Sequence, residues 1–600
     1  MTYKQNWDLD VIFPGGYNSK QAQQKLEDIT KQINELQDKL NDFENDDNEL
    51  NFAILVNILK KRDKINDEIK ELSVFWTAHQ SDDFNNREIT PKLNKVNELY
   101  SKFGNCEITL AYIFKKLSDD DFERFLKLPE TKEIAFNLKE LRKDANELLD
   151  KNTEKAINQL SIDGLTGWSN HYDTIASNIS VTYSINDNSK TLSAGQALNQ
   201  LTGASNNEER KNIMSAYEKA WSEHEDELAD TLNYLAGFRL QNYQLHGTND
   251  FLKKPLELNR MKQKTLMNMW NVIEANKDIF IPYMDRKAQL LHKEHFDWQD
   301  QDAPITFNNQ EKISYDDAAS FILENFEKFS PKMANLAKKA FENGWLEVEN
   351  RPGKQPGGYM EEVPEIKQSR IFLTYTGTPE DASSVAHELG HAFHYEVVKD
   401  LPSMRRDYAM NVAETASTFA ELIVSDANVK NANSIEEKVS LLDAKLMNPL
   451  AMCMNIRARY LFETNFYKER MNGYVPAKKL NELMLAAQKW AFNNHLGTYH
   501  PHFWASKLHF YIDDVPFYNF PYTFGYLFSL GIYAKAQEQP DTSFEDQYIA
   551  LLRDTANMTT EDLVKKHLNV DLSTPDFWQK SIQLIKQDID QFIKLSDNLI

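Results

Sequence analysis

Between Ser19 and Phe43 the apolar residues Leu26, Ile29, Ile33, Leu36, Leu40 and Phe43 step by 3, 4, 3, 4 and 3. That spacing is the seam of an amphipathic helix of coiled-coil type, and it commits the chain to burying one long helical face. Asp46-Asp47-Asn48 breaks the pattern, after which Ile54, Ile58, Ile65, Ile69 and Leu72 resume a helical stripe. An antiparallel helical hairpin is the economical expectation, packed within its own molecule rather than offered as a docking coil. The rest of the chain is sparing with breakers, at 19 Gly and 19 Pro in 600 residues. Average usage would give roughly 40 and 30, so a mainly α fold follows.

Exceptions to the helical pattern are local. Ser180 to Ile185 alternates like a strand and runs into the turn signal Asn186-Asp187-Asn188. Trp345 to Tyr375 holds Trp345-Leu-Glu-Val348, a cluster of Pro352, Gly353, Pro356, Gly357 and Gly358, and the apolar run Ile371-Phe-Leu-Thr-Tyr375. A small sheet with a glycine loop is expected there, with Ile371 to Tyr375 as an edge strand able to pair with an extended peptide. Ser314-Tyr-Asp-Asp317 has the form of a helix-opening capping box. A soft boundary near the first strand divides the chain into an N-terminal helical part, 1–195, and a larger part, 196–600.

Charge and cysteine content exclude several functions. With 68 Lys and Arg against 91 Asp and Glu, the net charge is −23. Clustered cations that could displace counterions from nucleic acid or an anionic membrane are not expected. No apolar run approaches the about 18 residues of a spanning helix, and the start lacks the basic flank and apolar stretch of a signal peptide. Cys106 and Cys453 form no metal spacing and no disulfide framework. A cytoplasmic location is the default expectation.

Chemistry concentrates around the histidines: His387, His391, His394, His495, His500, His502 and His509 are half of the 14. The sharp feature is His387-Glu388-Leu389-Gly390-His391. On a helix, four residues advance by about 400°, so the two imidazoles lie one turn apart and can converge on one cation. Glu388, about 100° round, can reach a water on that cation without being a ligand, the general-base position of the H-E-x-x-H pattern. Gly390 permits close approach of a neighbouring element. Thr378-Pro379-Glu380-Asp381 supplies an N-cap, a proline at the first helical position and acids in the first turn.

A catalytic zinc needs a third protein ligand and an open position. Val397 stands where a third histidine would fall in the longer histidine motif, and Glu396 points off the site. A second helical pattern from Met410 to Ser425 carries Glu414 and Glu421. Glu414, flanked by small residues in Ala413-Glu-Thr-Ala-Ser417, is the favoured ligand, and Glu421 the carboxylate that orients a histidine or a helix end. His394 is read as packing, and His495, His500 and His502 as ordinary.

These residues reach a known family. His387-Glu-Leu-Gly-His-Ala-Phe-His394 followed by Val412-Ala-Glu-Thr-Ala-Ser417 resembles the M3 family of zinc oligopeptidases, in its oligoendopeptidase F branch. Tyr375-Thr-Gly-Thr378, Gly353-Lys-Gln-Pro-Gly-Gly-Tyr359, His509-Phe-Tyr511 and Pro516-Phe-Tyr518 look like that branch as well. The resemblance implies a mainly α, zincin-type molecule of two helical lobes around a deep channel, with a small β-sheet near the active site. It implies one Zn²⁺ per chain, held by His387, His391 and Glu414, and internal cleavage of short peptides with Glu388 as general base. Tyr522, Tyr518 and His509 stand where the family places oxyanion-stabilising and substrate-contacting groups. Gly357, Gly358, Tyr359, Tyr375 and Tyr511 are further substrate-binding expectations, although Tyr511 and Tyr526 read equally as core aromatics. A zinc carboxypeptidase of related helical type, and a helical scaffold with a fortuitous motif, are the competing expectations. The 196–600 part is then the catalytic domain and 1–195 a wall of its channel; monomer and homodimer stay open.

Overall fold

The computed structural model describes residues 2–45, 51–185, 188–204, 206–305, 307, 312–355, 357–538 and 543–600. The turn signal at 186–187, the helix break at 46–48 and Pro356 lie outside them.

The N-terminal seam forms a helix over Lys20–Asn45, and the resumed stripe a second over Phe52–Asp82. Leu26, Ile29, Ile33, Leu36 and Leu40 are buried, and Ile58, Ile65, Ile69 and Leu72 meet them. Cross-helix pairs fix the direction. Lys25 binds Glu68 at 2.7 Å and Lys61 binds Glu35 at 2.5 Å, so rising numbers on one helix oppose falling numbers on the other. The hairpin is therefore antiparallel and packed inside its own lobe.

Two large hydrophobic cores organise the molecule. One gathers residues from Leu9 to Leu138, joined by Val363 and Met404. The other gathers residues from Tyr172 to Phe592 and includes the helices around the histidine motif. Each holds one free, buried cysteine, Cys106 in the first and Cys453 in the second. Polar ties join the N-terminal helices to later parts of the chain: Lys70 Nζ to Glu362 at 2.7 Å, Asn137 Nδ2 to the Met404 and Ala556 carbonyls at 2.9 and 2.8 Å, and Arg406 to Asp67 at 2.5 Å. A cavity of about 790 Å³ is lined by Lys139, Glu140, Arg260, Asp407 and Tyr408 among others, and none of His387, Glu388, His391 and Glu414 lines it. No helix among the described residues is long and apolar enough to cross a membrane.

Among the described residues, five strands interrupt the helices. β1 (Ser180–Ile185) and β2 (Asn188–Ser193) form an antiparallel hairpin. β3 (Leu346–Glu347), β4 (Tyr359–Val363) and β5 (Gln368–Phe372) form a sheet in the order β3-β5-β4, with β4 antiparallel and β3 parallel to β5. The apolar run expected to be an edge strand begins inside the sheet: Ile371 and Phe372 belong to the central strand β5 and are both buried, which is why the run does not alternate. Leu373 and Tyr375 continue past the strand, their N–H groups donating to the Glu347 and Val348 carbonyls. The edges belong to β3 and β4.

The segment leading to the last histidines is anchored by a half-buried acid. Glu218 accepts from His500 Nδ1 at 2.7 Å and faces His502 Nδ1 at 3.3 Å. Burial alone would raise its pKa, but His500 and His502 outweigh burial and hold it at about 2, below the ordinary 4.5. A carboxylate depressed in this way contributes stability in full above pH 4.5 and loses it as pH falls through about 2. We expect Glu218→Gln to be destabilised by about 2 kcal/mol at neutral pH, with the gap to wild type closing in that acid window; denaturant titration at stepped pH measures it.

Candidate metal centre and active site

The helix Pro379–Val398 starts on a full capping box. The Thr378 hydroxyl accepts from the Asp381 N–H at 3.1 Å, and Asp381 Oδ2 accepts from the N–H groups of Thr376, Gly377 and Thr378 at 2.8–3.0 Å. Four donors at the helix start are satisfied, and the register that places His387 above His391 is fixed. The two rings lie 5.1 Å apart, nearly perpendicular.

The helix Met410–Asn431 lies against this one at very close range. A Cβ on Gly390 would overlap the Ala416 carbonyl oxygen and stand 2.6 Å from Ser417 Cα. Both obstacles are backbone and cannot step aside. We expect Gly390→Ala to cost about 2 kcal/mol net, overpacking outweighing the roughly 1 kcal/mol that Ala ordinarily gains over Gly in a helix. Metal affinity should fall with it; denaturant melts and metal titration of the same variant test the two effects together.

This approach brings Glu414 to the histidines. Its Oε2 lies 3.3 Å from His387 Nε2 and 3.5 Å from His391 Nε2, and it accepts from Ser417 Oγ at 2.6 Å. One donor atom from each of His387, His391 and Glu414 lies within 4.8 Å of the others, the one such triad among the described residues. Glu421 sits on the far side of His387, with Oε2 3.0 Å from Nδ1, and is itself held by Asn448 Nδ2 at 3.0 Å. It therefore directs the His387 Nε2 lone pair toward Glu414. Two imidazole Nε2 atoms and one carboxylate on two rigid helices are the donor set that zinc takes, so the residues fit such an ion.

The electrostatics agree with a site arranged for positive charge. Burial works against a charged His387, but Glu414 and Glu421 outweigh it and push its pKa well above the ordinary value. Burial opposes ionisation of Glu414 too, yet the two histidines and Ser417 hold it at about 2. Glu388 is buried, and its Oε2 has no hydrogen-bond partner. Burial, with Glu414 and Glu421 adding to it, raises Glu388 to about 7 against the opposing His387. An unpartnered buried carboxylate oxygen calls for an occupant.

Backbone approaches Glu388 at Gly358. A Cβ there would lie 3.3 Å from the Phe372 carbonyl and 3.5 Å from Glu388 Oε1, so a larger residue would crowd the carboxylate. Gly357 precedes it at φ +95°, a conformation suited to glycine. Tyr359 stacks on Phe372 and its hydroxyl is 2.8 Å from Ser81 Oγ, tying β4 to the N-terminal hairpin.

On the opposite side, the helix Phe520–Glu538 presses on the Glu414 helix: Ser529 Oγ donates to the Glu414 carbonyl at 3.0 Å. A Cβ on Gly525 would touch Glu414 Cβ at 3.2 Å. Tyr522, one turn earlier, is half-buried, and its ring meets Tyr518 and His509 at 5.6 and 5.9 Å. Burial raises the Tyr522 hydroxyl, Tyr518 and Glu414 raise it further, and Arg459 opposes. The hydroxyl therefore stays protonated and able to donate. His509 Nδ1 is buried without a partner.

Two other expected residues are placed elsewhere. Tyr511 is fully buried and stacks on Tyr172 at 4.0 Å, a core aromatic that offers a substrate no surface. Tyr375 is buried, with its hydroxyl donating to the Ile313 carbonyl at 3.0 Å. His394 packs against Tyr408 at 4.1 Å and shares a hydrogen bond with Thr555 Oγ1 at 2.9 Å. Arg459 and Lys507, near Tyr522 and His509, were not singled out from the sequence, because an isolated base on a helix or in a loop carries no pattern.

The profile of peptidase family M3 matches residues 200–584, and that of the oligopeptidase F N-terminal region matches residues 114–180. The chain belongs to peptidase family M3. Among curated M3 relatives, Oligopeptidase PepF of Bacillus subtilis is 20% identical over 98% of this chain and 87% of its own. An oligoendopeptidase F homolog of Lactococcus lactis is 20% identical over 99% and 98%. The crystal structure of oligoendopeptidase-F from Enterococcus faecium superposes with a TM-score of 0.70 at 15% identity, covering 96% of this chain and all of that one. As an M3 peptidase of this branch, the protein is a mainly α metalloendopeptidase.

Proposed function

We propose that this M3 peptidase is a zinc-dependent oligoendopeptidase, hydrolysing internal bonds of short peptides that enter a cleft between its lobes. The convergence of His387, His391 and Glu414 beside the unpartnered Glu388 Oε2 carries this reading. A zinc held by His387, His391 and Glu414 would supply Lewis-acid chemistry at the scissile bond.

The chain's own groups do the rest. Glu388 takes a proton from the attacking water at its free oxygen and delivers it to the departing amine. Tyr522 donates its hydroxyl proton as a hydrogen bond to the oxygen on which charge develops, with Tyr518 and His509 beside it to hold that ring and contact the peptide. Main chain at Gly357 and Gly358 receives the substrate backbone next to Glu388, where the absence of side chains leaves room. Residues 1–195 wall the cleft, which admits short or unfolded chains and excludes folded ones.

Product mapping by mass spectrometry of one peptide of about ten residues, with metal content measured on the same sample, tests the proposal. Internal cuts that stop with a chelator and return with zinc are expected. Stepwise release of single C-terminal residues would assign a carboxypeptidase instead, and full activity without metal would remove the mechanism.

A further inference from the structure

Beside the tyrosines, three basic side chains lie together with no ion-paired acid among the described residues. Arg459 and Lys507 approach the same ring, that of Phe503, at 5.1 and 6.0 Å from its centre. Arg459 is held by neutral groups, Asn455 Oδ1 at 2.8 Å and Asn519 Oδ1 at 3.3 Å. Lys507 Nζ has no hydrogen bond and no ion pair among the described residues, and His509 Nδ1 is buried and unpartnered. Asp302 acts on both cations from beyond ion-pair distance.

Other cations in this acidic chain are answered by carboxylates or by neutral oxygens. Lys287 pairs with Asp443 at 3.0 Å, Lys445 with Asp588 at 2.7 Å and Arg406 with Asp67 at 2.5 Å. Buried Arg239 and Arg370 donate to hydroxyl, amide and carbonyl oxygens, whereas Lys507 has neither kind of partner among the described residues. Cation–π contact with Phe503 fixes position but does not neutralise charge. The cost is visible in the groups themselves. Burial and Arg459 push Lys507 down to about 7, and burial with Lys507 and Arg459 pushes His509 down to about 3. A carboxylate set among them would relieve both the desolvation and the mutual repulsion.

Its place relative to the metal triad gives the cluster a meaning. Tyr522 lies 5.9 Å from the His509 ring and is acted on by both Glu414 and Arg459, so the cluster and the metal triad are both within electrostatic reach of one tyrosine. Within the peptidase reading given above, we propose that Arg459 and Lys507, with His509, form a subsite that binds a carboxylate of the bound peptide. The carboxylate that every unblocked short peptide carries is the C-terminal one, on the leaving-amine side of the cut. The missing counter-ion would then arrive with the substrate, and oligopeptides would be selected by the distance from the cut to their end.

Three peptides of about ten residues with one internal sequence test this: a free C-terminal acid, its amide, and an amide whose last residue is Glu. For wild type, the free acid should show a KM about tenfold or more below the amide, with kcat little changed. Lys507→Met should reduce the ratio to near one, and Lys507→Arg should restore it. Recovery by the Glu-bearing amide would make a side-chain carboxylate the ligand of the same subsite. Equal KM for all three peptides in wild type overturns the proposal whatever the variants do, as does an undiminished preference in a folded Lys507→Met. Calorimetry of the same peptides on Glu388→Gln reads the subsite as a Kd ratio without any cleavage. A failure of the peptidase reading is thereby kept distinct from a failure of the subsite.

Discussion

Glu388→Gln is expected to retain one metal per chain while kcat falls by about 10³-fold or more. Gln has nearly the same shape, and Glu388 makes no contact with the triad that could disturb it. The carboxylate lies beside His387 on the same helix, buried, with Oε2 facing no protein donor. What Gln removes is the capacity to accept a proton and give it back. General acid–base catalysis by one positioned group is worth about 10²–10⁴-fold, and here one group serves both transfers, which places the loss toward the upper end. Elemental analysis together with steady-state kinetics on an internally quenched peptide measures it. Activity within tenfold of wild type would remove Glu388 from the proton path.

Glu414→Ala should have the opposite signature, losing the metal and with it all measurable cleavage. Glu414 Oε2 is the atom both Nε2 nitrogens approach, at 3.3 and 3.5 Å, so its removal leaves two imidazoles and no carboxylate facing their Nε2 atoms. Glu421 cannot substitute, because it contacts His387 through Nδ1 on the far side and is held there by Asn448. Glu421→Gln should therefore weaken metal binding by only about 10–100-fold, the usual effect of a group that orients a ligand. Competition with a chelating dye ranks the variants. Full occupancy in Glu414→Ala, or a larger loss in Glu421→Gln than in Glu414→Ala, would overturn the assignment of ligand and supporting acid.

Local signals carried much of this molecule. The Thr378 cap and Pro379 fixed the register of the histidine helix from sequence alone, and the small residues around Glu414 foretold the near contact with Gly390. Those are features of one helix or of two neighbouring ones, and a 3.6-residue period reports them directly. What escaped is set by distant parts of the chain. Ile371 to Phe372 is a central strand because Leu346–Glu347 pairs with it from before the glycine loop, and the apolar run has the same composition either way. Tyr511 is a core residue because Tyr172, hundreds of residues earlier, lies flat against it. Arg459 and Lys507 meet only through the Phe503 ring, and no spacing between residues 459 and 507 could announce that.

The two cysteines give the folded enzyme an unexpected convenience. Cys106 and Cys453 are 1% and 0% exposed, and burial pushes the first to about 11 and the second higher still. Thiol reagents attack the thiolate, so both native sulfurs are silent in the folded protein without any need to mutate them. A cysteine introduced on the surface of each lobe would be labelled alone, and a dye pair placed that way reports the width of the cleft as peptide enters. On unfolding the silent pair becomes reactive, one sulfur for each core, so alkylation timed against denaturant distinguishes which core opens first.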